Sequence, residues 1–296
     1  MMLPRTIELV EVGPRDGLQN DPAAVPTTDK VALIRKLVAA GVRRIEVASF
    51  VNPRRVPQMA DAEEVCAQLD GLQAIRIGLA LNRRGAERAL ASCVDEIGAV
   101  ASASDGFAQA NQGRTGAQTV DDAIEIIQLA LAAGRRAQAT VSVAFGCPFD
   151  GEIDPEHIAQ IVRRLAAAGA HEVALGDTIG IATPSDVLAV MNAAKAAAPG
   201  VPLRMHFHDT RNMAIANAWA AISAGAVTLD ASIGGLGGCP FAPRATGNVA
   251  SEDILYMLRG AEIETGIDLE AMVATSHWLG ERLERTLPSK VARAGF

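Results

Sequence analysis

Short runs rich in β-branched residues alternate with Ala- and Leu-rich segments eight times along the chain, and no other feature constrains the fold so tightly. Strands are expected at 7–12, 44–48, 75–79, 96–101, 138–143, 172–175, 203–207 and 228–231. Helical patterns fill the gaps at 28–40, 61–69, 83–92, 120–133, 155–168, 184–198, 212–223 and 251–259. The punctuation agrees with this division. Thr28, with Asp29 beside it, precedes the first helix. Gly41, Gly134, Gly169, Gly225 and Gly260 follow helical ends, where a left-handed residue is often needed. Pro155 and Pro184 sit where a first turn tolerates a missing N–H. Eight strand–helix units in 296 residues predict a parallel sheet closed into a (β/α)8 TIM barrel. An open doubly wound sheet would carry a GxGxxG turn after its first strand, and here that turn reads Gly13-Pro14-Arg15-Asp16-Gly17. Residues 1–296 are expected to form one catalytic barrel domain, with 262–296 as a C-terminal helical extension of it.

Composition narrows the function. Hydrophobic residues make up 49% of the chain and aromatics only 3%, so the core is expected to be aliphatic, as in parallel-strand folds. The formal net charge is -7, and the paired arginines are dispersed among acids, which excludes a nucleic-acid surface. No apolar run approaches the ~20 residues needed to cross a bilayer. The first strand begins too early for a targeting segment to precede it, so a cytoplasmic location is expected. The four cysteines (Cys66, Cys93, Cys147 and Cys239) show no CxxC spacing and read as reduced thiols.

The unusual residues fall just after strands, where a barrel holds its chemistry. His206 and His208 stand two apart on an extended segment and so share a face. They read either as paired metal ligands or as hydrogen-bonded core histidines. Arg15 and Asp16 leave strand one and offer a turn salt bridge, or else a fixed cation beside a carboxylate ligand. After strand eight, four glycines in five positions (Gly234, Gly235, Gly237, Gly238) allow close backbone approach to a ligand and display Cys239. Asn248, where that loop turns into a helix, is either an N-cap or an amide-oxygen ligand. Asp16, His206, His208 and Asn248 would together give two nitrogens and two oxygens, a set suited to Mg2+ or Mn2+. Glu46 and Asp177 end two further strands, as acids that orient the site or as structural acids satisfied by backbone N–H groups.

These stretches resemble the hydroxymethylglutaryl-CoA lyase family over nearly the whole chain. The matching pieces are EVGPRDGLQN from Glu11, SFVNPRRVPQMAD from Ser49, GCPFDG from Gly146, LGDTIGIATP from Leu175, HFHDT from His206, GGLGGCPFAP from Gly234, ATGN from Ala245 and SKVARA from Ser289. The resemblance implies a divalent metal, Mg2+ or Mn2+, held by Asp16, His206, His208 and Asn248. It implies catalytic roles for Arg15, Asp16, Glu46, His206 and Cys239, with Arg15 neutralising an enolate oxygen and Cys239 on a loop closing over the substrate. Arg15, Gln19, Ser49, Gly237 and Gly238 would contact an acyl-CoA thioester. The implied reaction splits 3-hydroxy-3-methylglutaryl-CoA into acetyl-CoA and acetoacetate, in a homodimer or higher homo-oligomer. The loops depart from the family pattern. Asp21-Pro22 replaces a common Glu-Lys, Ala110 and Gly113 replace Lys and Asn, and Arg211-Asn212-Met213 and Arg244 stand where smaller residues are usual. These departures bear on acyl specificity and keep citramalyl-CoA, or another branched 3-hydroxyacyl-CoA, as an alternative substrate. A condensing synthase and a non-catalytic binding protein are weaker alternatives.

Overall fold

The computed structural model describes residues 3–238 and 247–296. Eight parallel strands close in sequence order, and β8 pairs back onto β1. They are β1 (Glu8–Glu11), β2 (Arg44–Ser49), β3 (Ile75–Ala80), β4 (Glu96–Ser102), β5 (Arg136–Ser142), β6 (Val173–Asp177), β7 (Leu203–Phe207) and β8 (Thr228–Ala231). The helices outside the barrel are α1 (Thr27–Ala39), α2 (Ala62–Ala67), α3 (Arg83–Leu90), α4 (Asp105–Gln112), α5 (Gly116–Ala132), α6 (Pro155–Ala167), α7 (Pro184–Ala197), α8 (Ala214–Ser223), α9 (Ser251–Gly260), α10 (Leu269–Arg282) and α11 (Lys290–Ala294). The (β/α)8 reading therefore holds.

Local departures have local causes. The turn after β1 is one wide helical turn, Gly13–Gly17, in which the N–H groups of Arg15, Asp16 and Gly17 all donate to the Val12 carbonyl. α1 starts at Thr27, one residue before the expected site. The Thr27 hydroxyl donates to Asp61. α5 starts at Gly116, four residues ahead of the pattern, because Thr115 and Gln118 form a capping box. α4 was not expected from its short polar sequence, and it starts where the Ser104 hydroxyl accepts from the Phe107 N–H. Gly260 is the last residue of α9, and the left-handed position falls on Glu262 (φ 56°).

Strand alternation sorts side chains into two environments. Ile97, Ala99 and Ala101 of β4, Val173 and Leu175 of β6, and Met205 and Phe207 of β7 face outward into one large aliphatic cluster with the helices. The inward positions are mostly polar. Arg44, Glu46, Glu96, Gln138, Arg204, His206 and Asp230 are all buried. Two separate apolar clusters have members on the barrel strands, Val10–Val12–Ile77 and Val51–Leu79–Val100. An aliphatic core is thus right for the barrel's outer layer and wrong for its lumen.

Candidate active site

The wide turn after β1 carries Arg15 and Asp16 to the rim of the lumen. Arg15 donates from Nε to Glu46 Oε2 (2.6 Å) and from Nη1 to Asp16 Oδ1 (2.5 Å). Glu46 is 2% exposed and also lies 3.8 Å from Arg204. Of the two sequence readings for Glu46, the structure realises the one that orients Arg15. Asp177 takes the other role. It accepts from the Ile181 and Ala182 N–H groups (2.9 and 3.1 Å), shaping the loop after β6. Burial pushes its carboxyl up to about 6.

His206 and His208 lie on one side of their strand, with ring centroids 5.3 Å apart. His206 Nδ1 lies 3.1 Å from Asp230 Oδ2, and Nε2 lies 4.0 Å from Asp16 Oδ2. Burial lowers the His206 pKa, but the hydrogen bond and charge of Asp230, together with Asp16, outweigh it and hold it above its ordinary value. Burial likewise raises Asp16, yet the Arg15 guanidinium and the two histidines hold it well below the usual carboxylate range.

Asn248 reaches the same place from far along the chain. The segment after the glycine loop runs antiparallel to the exit of β7, with Val249 N–H donating to Phe207 O and Asp209 N–H to Gly247 O. Asn248 Nδ2 then donates to Asp16 Oδ2 (2.8 Å) and Leu236 O (3.0 Å). Its Oδ1 is buried and has no hydrogen-bond partner among the described residues. Asp16, His206 and His208 each offer a ligand atom within 4.8 Å of the others, so this cluster can hold a metal ion. An orphaned amide oxygen beside a carboxylate and two imidazoles is the donor set a divalent cation would satisfy.

Gln19 and Gly238 line the adjoining cavity of about 990 Å³, and Asn20 Nδ2 donates to the Gly238 carbonyl (3.2 Å). Ser49 is fully buried and donates to Gln19 Oε1 (2.8 Å), so it supports Gln19 from behind. Gly237 (φ 130°) passes so close to Asn248 that a side chain there would strike the amide. Cys239 and Arg244 lie outside the described residues. Ala110 and Gly113 line the cavity, with Arg55 and Arg114 beside Arg15 as its cations among the described residues. Arg211 donates to the Ile179 and Gly180 carbonyls, and Asp21 pairs with Arg285.

Sequence reasoning missed four buried groups. Asp230 backs His206, and Arg204 lies 3.3 Å from Asp230 Oδ1. Arg204 stands two residues before His206, so the period-two spacing that paired the histidines was also its signal. Glu11 accepts from the Gly13 and Ile233 N–H groups (2.7 and 2.8 Å) and the Ser251 hydroxyl (2.6 Å). Glu252 accepts from the Gly234 N–H (3.0 Å). These two acids tie the base of the glycine loop to β1 and α9. Burial pushes Glu11 up to about 8 and Glu252 to about 7.

A family model described as HMGL-like matches residues 6–279. The chain belongs to the HMGL-like family. Its relatives include an (R)-citramalyl-CoA lyase of Chloroflexus aurantiacus, 43% identical over 98% of this chain and 95% of that protein. A 3-hydroxy-3-isohexenylglutaryl-CoA/hydroxymethylglutaryl-CoA lyase of Pseudomonas aeruginosa is 41% identical over 99% and 98%. The solved structure of an HMG-CoA lyase from Acinetobacter baumannii in complex with coenzyme A and 3-methylmalate superposes with a TM-score of 0.92, at 38% identity over 98% and 95% of the two chains. HMGL-like membership thus joins this fold to enzymes named as carbon–carbon lyases acting on CoA thioesters.

Proposed function

We propose that this chain cleaves 3-hydroxy-3-methylglutaryl-CoA to acetyl-CoA and acetoacetate. The observation that carries this reading is the placement of Arg15, itself clamped by Glu46 and Asp16, beside the Asp16–His206–His208 cluster at one end of the lumen. The C2–C3 bond breaks, the 3-hydroxyl loses its proton to become a ketone, and the electron pair moves into a thioester enolate. Arg15 is a fixed guanidinium able to stabilise the enolate oxygen, and Glu46 removes its freedom to swing away.

Asp16, His206, His208 and the Asn248 amide oxygen are the residues that would hold Mg2+ or Mn2+. When bound, such an ion acidifies a hydroxyl and polarises oxygen. The Asp16 carboxylate, at the rim beside His206, is our candidate to accept the hydroxyl proton, with His206 as the other base within reach. The carboxylate is ionised at neutral pH but weakly basic, which is adequate only toward an acidified hydroxyl. Asp230 holds the proton on His206 Nδ1 and so directs Nε2 into the site. Cys239 follows Gly238 of the cavity lining and is our candidate to return a proton to C2.

A second reading, cleavage of citramalyl-CoA, is favoured by the 43% identical citramalyl-CoA lyase and by Pro22 and Ala110 in place of lysines. Purified protein with Mg2+ or Mn2+ should release acetyl-CoA from 3-hydroxy-3-methylglutaryl-CoA and stop on chelation. A much higher kcat/KM on citramalyl-CoA would install the second reading, and no acetyl-CoA from either thioester would end both. We also propose that the enzyme is cytoplasmic and homo-oligomeric, which fractionation and sedimentation would check. No helix among the described residues is long and apolar enough to cross a membrane. We read the C-terminal helices as an extension of one domain, since α10 packs on α1 and α9.

A further inference from the structure

Inside a lumen lined mostly by charged and polar groups, one wall of the cavity is apolar. Val51, Leu79 and Val100 form a cluster of their own, with Val56 and Leu81 packed against it, and all five line the cavity. Each of the first three keeps a small exposed area, 9%, 7% and 9%. They are therefore neither core nor rim, and they present hydrocarbon to whatever fills the space.

Their position is fixed by the barrel. Inward residues on successive strands line the cavity in the order Leu79, Val100, Thr140, Gly176, His206 and Asp230. In a closed barrel of eight strands, β3 and β4 stand across the lumen from β7 and β8. The apolar wall thus faces the cluster of Asp16, His206 and His208.

Resting on the lyase reading, we propose that Val51, Leu79 and Val100, flanked by Val56 and Leu81, are the subsite for the hydrocarbon branch on C3 of the acyl group. We propose further that it takes aliphatic branches longer than methyl. A 3-hydroxy-3-alkylglutaryl thioester carries four groups on C3. The hydroxyl and the carboxymethyl group need the polar side of the lumen. The thioester arm must leave through the mouth, because it continues into coenzyme A. The alkyl branch remains, and among the described residues the aliphatic cluster on β3, β4 and the loops after β2 and β3 is the lining that suits it. Burial of hydrocarbon against these five side chains is favourable because none of them carries a polar group that would lose water. Each methylene that enters should raise kcat/KM about fourfold, which corresponds to about 0.8 kcal/mol.

The test uses the full chain with Mn2+ and a series of 3-hydroxy-3-alkylglutaryl-CoA thioesters bearing methyl, ethyl, propyl and pentyl branches. The propyl-to-methyl ratio of kcat/KM should exceed one in the parent protein. Val100→Thr, which keeps the shape and adds a hydroxyl, should lower that ratio about tenfold, and Val100→Phe should lower it further by filling the wall. Cleavage of the methyl thioester with an inert propyl thioester would overturn the proposal, as would a ratio unmoved in both variants. If no thioester releases acetyl-CoA, the lyase reading fails and calorimetry on the same series decides the subsite. Affinity rising with branch length in the parent and flat in Val100→Thr supports it, and affinity independent of length in both sinks it.

Discussion

The outer layer of the barrel and its lumen are made by the same strands, yet they obey different physics. Ile97, Ala99 and Ala101 face the helices in a continuous aliphatic layer. One residue away on the same strand, Glu96 faces inward and meets Arg44 at 2.5 Å. The outer layer derives its stability from area removed from water and tolerates swaps that conserve volume. The lumen buries acids and guanidinium groups that are stable only as a connected set. Replacing such a set with hydrocarbon is often neutral, whereas removing one partner is costly. The lumen is therefore a positioning device, and the helix-facing layer is what holds the molecule together.

The sharpest way to break this comparison is Asp16→Ala, which should lower kcat by about 10⁴-fold, because it removes both a proton acceptor and a ligand. It should also abolish Mn2+ binding while leaving the melting temperature nearly unchanged. Full activity, or a large loss of stability, would place Asp16 in the scaffold instead. Next in size is Arg204→Met, which removes the guanidinium beside Asp230 and leaves Glu46 with Arg15 alone. Urea unfolding should show a loss of about 3–5 kcal/mol. A double variant with Asp230→Asn should lose less than the sum of the two single changes, since each removes the other's reason for cost.

Arg15→Met should lower kcat by about 10²–10³-fold while divalent-cation affinity, read by calorimetry, is largely kept. Loss of cation binding in this variant would mean that Arg15 organises the ligands rather than the enolate. In the outer layer, Ile97→Val should cost only about 0.5–1.5 kcal/mol and leave kcat/KM alone. A tenfold rate change there would erase the distinction between the layers.

The last prediction concerns pH. Burial pushes Glu11 up to about 8, whereas 4.5 is its ordinary value. Between those values the folded protein keeps a proton that the unfolded chain has released. Stability should therefore fall as pH rises through that window and level off above it. In Glu11→Gln the amide copies the protonated acid, accepting from the Gly13 and Ile233 N–H groups and donating to Ser251. Thermal melts of this variant should show a flatter slope across the window. An identical slope would mean that Glu11 is ionised in the folded state.

Local pattern and tertiary packing divide the remaining credit. The sequence alone determined the eight strand–helix units, because period-two and helical periodicities are local and each had clear punctuation. It also exposed the HFH pair and the RDG turn, since two histidines on one strand face need no knowledge of the rest of the chain. It did not reveal α4, whose eight residues are short and polar and depend on one Ser104 cap. Nor did it show which strand faces point inward, so Arg204 and Asp230 went unremarked, and no local pattern tied Glu11 and Glu252 to the base of the glycine loop. Only barrel closure decided that Asp230 of β8 backs His206 of β7 and that Glu46 of β2 clamps Arg15 after β1. The pairing of the post-loop segment with the exit of β7 brought Asn248 onto Asp16 across 232 positions of chain. Contacts of that kind depend on register between distant strands, and a linear pattern does not encode register until the sheet has closed.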